Sequence, residues 1–293
     1  MRRSGFVAVA GRPNVGKSTL VNAIVGGKVA IVSDRPQTTR RAIRGVWTRA
    51  ERQVVLVDLP GVQRPRDQLT ARMARRVRQE LEGADAALLI LDGVQGVGAG
   101  DRFIAGTLLG APISTTVAVN KIDRLDRAAT VSALRGAAEL GLDGDVFPVS
   151  ARTGAGVGEL IEHLAERMPE GGPLFAAGQR SDQPRELLLA ELVREAVIRR
   201  TFQEVPHAVE AVVEELERTS SGLTRVRALI WVESDSQKAI VVGAGGRMIK
   251  AIGLAARKEI ERELEGRVHL DLSVRVRRDW RADEGLLDRL GIV

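Results

Sequence analysis

The sequence has no cysteine and no tyrosine among its 293 residues, and only three tryptophans and five phenylalanines. Without cysteine the chain forms no disulfide and offers no thiolate to a metal, as expected of a protein of the reducing cytosol. No uninterrupted apolar run reaches the length needed to span a bilayer. Met1-Arg2-Arg3 leads directly into an apolar segment with no signal-peptide pattern, so a soluble, unprocessed chain is expected. Basic residues number 44 and acidic ones 38, a surplus of six, which suits a polyanionic partner without identifying one. The length exceeds what one compact core usually holds and points to two domains.

The densest information lies in Gly11-Arg12-Pro13-Asn14-Val15-Gly16-Lys17-Ser18, which fits GxxxxGK[ST]. Residues 5–10 before it are apolar, as in a buried parallel strand, and residues 19–25 after it suit a helix that stops at Gly26-Gly27. Strand, loop and helix in that order make a phosphate site. Backbone N–H groups of residues 14–18 would face the phosphates, Lys17 would neutralise the β and γ oxygens, and the Ser18 hydroxyl would ligate Mg²⁺.

Two further motifs end apolar strands. Asp58-Leu59-Pro60-Gly61 can hold Mg²⁺ through a water at Asp58 and offer the Gly61 N–H to the γ-phosphate. Asn120-Lys121-Ile122-Asp123 carries the base preference. The Asp123 carboxylate can accept from guanine N1–H and the 2-amino group, donors that adenine lacks, and a site built this way rejects the wrong base by roughly 10⁴-fold or more. Asn120 would tie the base loop together and Lys121 would lie along the ring. Ser150-Ala151-Arg152 can present backbone N–H groups to the guanine oxygen.

Around these motifs, strands are expected at residues 42–48, 53–58, 86–92, 114–120 and 145–150, with helices notably at 67–82, 126–140 and 157–167. The alternation predicts an α/β domain over residues 1–168, a mainly parallel sheet with helices on both faces and ligands at the strand C-terminal ends. Residues 169–184, rich in Pro and Gly, read as a linker, and residues 185–293 as a second, α+β domain. There a helix is expected from 185 to about 201, strands at 208–216, 224–232 and 268–276, a helix after Gly246 and a last helix from about Arg281.

With four motifs in order, residues 5–168 resemble the translation-factor-related small GTPases. Gln37-Thr38-Thr39-Arg40 is similar to the switch threonine motif of the Era and MnmE-like branch, which implies that Thr39 binds Mg²⁺ and the γ-phosphate, with Thr38 as the alternative. Val62 follows Gly61 where Ras-like enzymes carry the glutamine that orients the attacking water, so slow hydrolysis is expected. Related GTPases with asparagine at the position of Asn14 use it to hold K⁺ beside the phosphates, which implies K⁺-assisted chemistry here.

The second domain contains residues 239–253, read as an apolar strand running into Gly243-Ala244-Gly245-Gly246 and then into a helix. A GxxG loop lets a backbone and a helix N-terminus approach nucleic-acid phosphates, as in KH domains, which clamp about four nucleotides. Residues 185–293 hold nineteen basic and nineteen acidic side chains, a net charge of zero. Yet Lys238, Arg247, Lys250, Arg257 and Lys258 stand together between Ser236 and Lys258 with no acidic residue among them. Phosphate contacts are expected from Arg247 and Lys250, with Arg257 and Lys258 beyond them. Ala244 and Gly245 are neutral where KH loops often carry a basic residue, and aromatic side chains are nearly absent near the loop, so apolar packing and base-edge hydrogen bonds replace stacking.

The element order resembles a type II KH domain, and the whole chain resembles the bacterial Era GTPases. That resemblance implies GTP, GDP and Mg²⁺ as ligands, single-stranded RNA at the 3′ end of 16S rRNA and the 30S subunit as partners, and action in 30S biogenesis and rRNA maturation. A cytoplasmic monomer is expected, compatible with peripheral association at the inner membrane. Rival readings are a P-loop kinase or ATPase, disfavoured by Asn120-Lys121-Ile122-Asp123; an RNA-binding module without catalysis, kept open by Val62; and a tRNA-modification or other RNA-associated GTPase of the same superfamily, whose MnmE type is disfavoured by the missing cysteine and by the GxxG domain.

Overall fold

The computed structural model describes residues 2–33, 39–61 and 68–292, which form two compact units. Unit one comprises residues 1–30 and 39–182 with the last two residues of the chain, and unit two comprises residues 31–38 and 183–291. Gln37, Thr38 and Val62, singled out above, lie outside the described residues.

In unit one the strands are β1 (Arg3–Ala10), β2 (Ile43–Arg49), β3 (Arg52–Asp58), β4 (Ala86–Asp92), β5 (Ser114–Asn120) and β6 (Val146–Pro148), and the helices are α1 (Lys17–Val25), α2 (Gln68–Glu82), α3 (Ala99–Leu109), α4 (Arg127–Ala138) and α5 (Val157–Arg167). The sheet order is β2-β3-β1-β4-β5-β6; β2 runs antiparallel to β3 and every other pairing is parallel. The central strands are apolar throughout because helices cover both faces. Leu20 and Ile24 of α1 pack with Leu160 and Leu164 of α5 on one face, and Val77 of α2, Ile104 and Leu108 of α3 and Ala137 of α4 on the other. Each fully buried leucine contributes roughly 1.5–3 kcal/mol by leaving water. α3 has two glycines in its sequence, and at its start Asp101 accepts from the Gly98 N–H at 2.8 Å. Because the parallel strands all end on the same edge, Gly11, Asp58, Asp92, Asn120 and Ser150 arrive there together.

The segment expected as a linker is laid along this unit. Gln53 accepts from the Leu174 and Phe175 N–H groups at 2.7 and 2.8 Å and donates to the Phe175 carbonyl at 3.0 Å. Ser181 bridges Gly45 in antiparallel fashion.

In unit two, α6 (Arg185–Ile198), α7 (Val205–Ala208), β7 (Glu210–Arg218), β8 (Thr224–Val232), α8 (Asp235–Val242), α9 (Arg247–Glu263), β9 (Val268–Val276) and α10 (Glu284–Arg289) follow in order. β8 is central, antiparallel to β7 and parallel to β9. One sheet face packs against α6 and α9 through Val226, Ala228, Ile230, Val193, Ile252 and Ile260. Ile31 belongs to this core, and the neighbouring Val32 N–H donates to Glu195 at 3.1 Å while its carbonyl accepts from Arg199 at 3.3 Å.

One expectation needs correction. The apolar run at 239–242, read as a strand, is the end of helix α8, whose Ser234 cap accepts from the Gln237 N–H. A short apolar run fits a strand or a buried helical face equally by pattern, and the cap upstream decides. Residues 235–263 also pass a length and hydropathy test for a membrane-spanning helix. They are two helices broken at Gly243–Gly246, where Gly245 and Gly246 have left-handed backbones, and the apolar positions Val241, Ile252, Ala256 and Ile260 lie in the core of unit two.

Candidate nucleotide and nucleic-acid sites

The loop after β1 closes on itself as the sequence pattern requires. Gly16 has φ +102°, and a Cβ there would lie 2.3 Å from the Asn120 amide, so only glycine fits between α1 and the base loop. Lys17 is buried, and its ammonium donates to the Gly11 and Arg12 carbonyls at 3.0 Å each. Beside it, the Ser18 hydroxyl donates to Asp58 Oδ2 at 2.6 Å and lies 3.0 Å from the Thr39 hydroxyl. Asp58 Oδ1 is buried without a hydrogen-bond partner among the described residues. Two hydroxyls and a carboxylate with an oxygen to spare are the hard donor set of a small divalent cation, so these residues fit Mg²⁺. Burial raises the Asp58 carboxyl to about 6 against the opposing pull of Lys17, and burial lowers the Lys17 ammonium to about 8 despite Asp58. Gly61 lies against Pro13, where a Cβ would come within 2.9 Å of the proline ring.

At the other end, Asn120 donates to the Val15 carbonyl at 2.8 Å and accepts the Ala151 N–H at 2.9 Å. It thereby joins the phosphate loop, the base loop and the turn after β6. Asp123 accepts from the Ser150 hydroxyl at 2.6 Å, which fixes the carboxylate that can read guanine. The Ala151 N–H, expected to face the guanine oxygen, is donated to Asn120. Lys121 and Asn14 both have left-handed backbones, with φ of 69° and 66°, a conformation that asparagine tolerates and that is uncommon for lysine. Such backbones concentrate at functional sites.

In unit two, Gly243 ends α8 with φ +73°, and a Cβ there would come within 2.6 Å of Met248. Gly246 begins α9, so the α9 N–H groups open beside the loop. Arg247 turns back to donate to the Ala244 carbonyl at 3.2 Å. Lys250, Leu254 and Arg257 of α9 line a groove closed by His269, Leu270 and Leu272 of β9. Arg257 also pairs with Glu261 at 3.0 Å. Lys258 departs from the expected cluster: it lines a different depression, with Arg199 and Arg200 at the end of α6. One residue along a helix is a turn of about 100°, which puts it on another face. Sequence reasoning missed His269 and Leu272, although the alternating pattern of β9 marks a strand with one face inward.

Comparison with known proteins adds to this geometry. Residues 6–121 match the model of a family described as 50S ribosome-binding GTPase, and residues 204–281 match the KH domain model. GTPase Era of Halothermothrix orenii is 41% identical over 289 residues, covering 99% of this chain and 98% of the relative. GTPase Era of Mycolicibacterium paratuberculosis is 44% identical over 294 residues with the same coverage of both. A crystal structure of Era in complex with MgGDPNP and nucleotides 1506–1542 of 16S ribosomal RNA superposes with a TM-score of 0.95 at 32% identity over 100% of both chains. A single-substitution variant of Aquifex aeolicus Era bound to GDP·AlF₄⁻ superposes with a TM-score of 0.94 at 33% identity over 99% of both.

Proposed function

Since this chain belongs to the family of the GTPase Era, we propose that it is a GTP-hydrolysing switch that binds the 3′ region of 16S rRNA during maturation of the 30S subunit. GTP, GDP and Mg²⁺ are its ligands. The observation that carries the reading is the presence in one chain of a guanine-selective phosphate site and a GxxG groove, with family likeness along 99% of the length. The proposed place of action is the cytoplasm.

At the nucleotide, the N–H groups at the start of α1 orient the phosphates and Lys17 binds the β and γ oxygens. Ser18 and Thr39 would hold Mg²⁺, with Asp58 reaching it through a water; when bound, the ion draws charge from the β- and γ-oxygens. The Gly61 N–H binds the γ-phosphate, and Asp123 selects guanine. A valine side chain, as at Val62, has no hydrogen bond to offer an attacking water, so a slow intrinsic rate is expected, and Asn14 would hold a K⁺ ion supplying positive charge to offset that of the equatorial oxygens. In unit two, Arg247 and Lys250 take phosphates while the apolar wall formed by Leu254 and Leu272 receives bases.

Crosslinking the GDPNP-loaded protein to small subunits and mapping the contacted nucleotides tests the proposal. Contacts clustered at the 3′ end of 16S rRNA are expected; contacts spread evenly over the subunit, or unaffected by exchanging GDPNP for GDP, would overturn it.

A further inference from the structure

The strand β4 ends in a carboxylate that neither phosphate binding nor base reading uses. Asp92 is 2% exposed. Its Oδ1 accepts from the Val94 and Gln95 N–H groups at 2.9 and 3.2 Å, which closes the loop between β4 and α3. Its Oδ2 accepts from the Lys121 ammonium at 2.6 Å. The same ammonium donates to the Asn14 carbonyl of the phosphate loop at 2.8 Å. Lys121 therefore spans from the base loop to the phosphate loop, and Asp92 fixes the middle of the span.

The loop that Asp92 closes is itself anchored to the phosphate loop. Arg12 donates through Nε to Asp101 at 2.8 Å and through its terminal nitrogens to Gln95 at 3.3 Å and the Gly96 carbonyl at 3.5 Å. Asp101 is fully buried and also accepts from the Gly98 N–H at the start of α3. The Gly93 N–H donates to the Asn120 carbonyl at 2.8 Å, tying the far side of the loop to the base motif. The result is a closed ring: phosphate loop, Arg12, loop 92–98, Asp92, Lys121 and back to the phosphate loop at Asn14.

We propose that Asp92 is a positioning residue for guanine-nucleotide binding, acting through Lys121. A lysine side chain has many rotamers, and ordering it on the ligand costs affinity unless it is ordered beforehand. An ion pair between a buried carboxylate and a quarter-exposed ammonium does that ordering before nucleotide arrives. It also supports the left-handed backbone of Lys121, which has no glycine-like freedom of its own. Arg12 and Asp101 keep the carboxylate in place by fixing the loop it closes.

The inference rests on the guanine-nucleotide site described above, and a double-mutant cycle on the full chain separates the two. Fluorescent GDP is titrated into the parent protein, Asp92→Asn, Lys121→Met and the double variant, and each is melted without nucleotide. Asp92→Asn keeps an oxygen over the Val94 and Gln95 N–H groups but places an amide against the ammonium. It is expected to weaken GDP binding about tenfold, while the double variant binds within about twofold of Lys121→Met alone. Factors that multiply in the double variant, or an Asp92→Asn affinity within about twofold of the parent, would sink the proposal. A role confined to loop stability would lower the melting midpoint and act equally in the Lys121→Met background. Should Asp92→Asn not fold, Asp92→Ser keeps a short acceptor for the loop and is held to the same two outcomes. A parent protein that binds ADP as well as GDP would instead remove the guanine reading itself.

Discussion

Lys17 and Asp58 are charged side chains that the protein interior disfavours, and burial moves both toward their neutral forms. A triphosphate and a divalent cation reverse that preference, since each presents the opposite charge to one of them. Asn14 follows a different logic: its backbone is left-handed and its carbonyl is committed to Lys121, while the residue as a whole is exposed. The potassium role proposed for Asn14 makes a direct kinetic claim. GTP turnover by the parent is therefore expected to be several-fold faster in K⁺ than in Na⁺ at equal ionic strength, and Asn14→Ala to lose that difference. Equal rates of the parent in the two salts count against the potassium site. At this scale the sequence was informative wherever a residue type is demanded by chemistry, as at Lys17, Ser18 and Asp123. It was silent on Asp92 and Asp101, because a carboxylate that acts by holding another side chain has no spacing rule that marks it.

The proposed RNA site rests on α8, the glycine turn and α9. Gly243 joins the two helices with a positive φ and no room for a Cβ, so Gly243→Ala strains the turn twice over. A loss of more than about 1 kcal/mol in the stability of unit two is expected, read by chemical denaturation, together with weaker RNA binding. Arg247→Glu with Lys250→Glu reverses two charges at the glycine turn and the groove beside it. Binding to single-stranded 16S rRNA 3′ sequence should fall at least tenfold, with a shallower dependence on salt concentration. An unchanged salt slope would remove both residues from the phosphate path. Element type was legible in α5, whose apolar residues recur at helical spacing, and in β5, a short run buried on both faces and bounded by polar residues. It failed at residues 239–242, where four apolar residues carry no period, and left α3 unmarked, where glycines dilute the helical signal.

At the scale of the whole molecule, the two-part plan was visible from the change of rhythm after Met168. Two features were not, because each depends on contacts far apart in sequence. Gln53 fastens residues 174–175, which turns an expected spacer into an edge of unit one. Ile31 is 1% exposed in the core of unit two, although its neighbours in sequence up to Ala30 belong to unit one. Ile31→Ala should cost unit two about 2–5 kcal/mol, seen as faster amide exchange along α6, with β4 and β5 of unit one unchanged. Equal acceleration in both places would contradict the assignment of Ile31 to the second core.

That assignment bears on how the second unit can be inherited or moved. A recombination event or an engineered graft that cuts once, in the Pro- and Gly-rich stretch after Met168, transfers residues 183–291 but leaves behind Ile31, whose side chain is buried in their core. Exchange of this unit between relatives therefore meets a foreign side chain at the position of Ile31, and how well that side chain fills the same space decides how much of the core's stability survives.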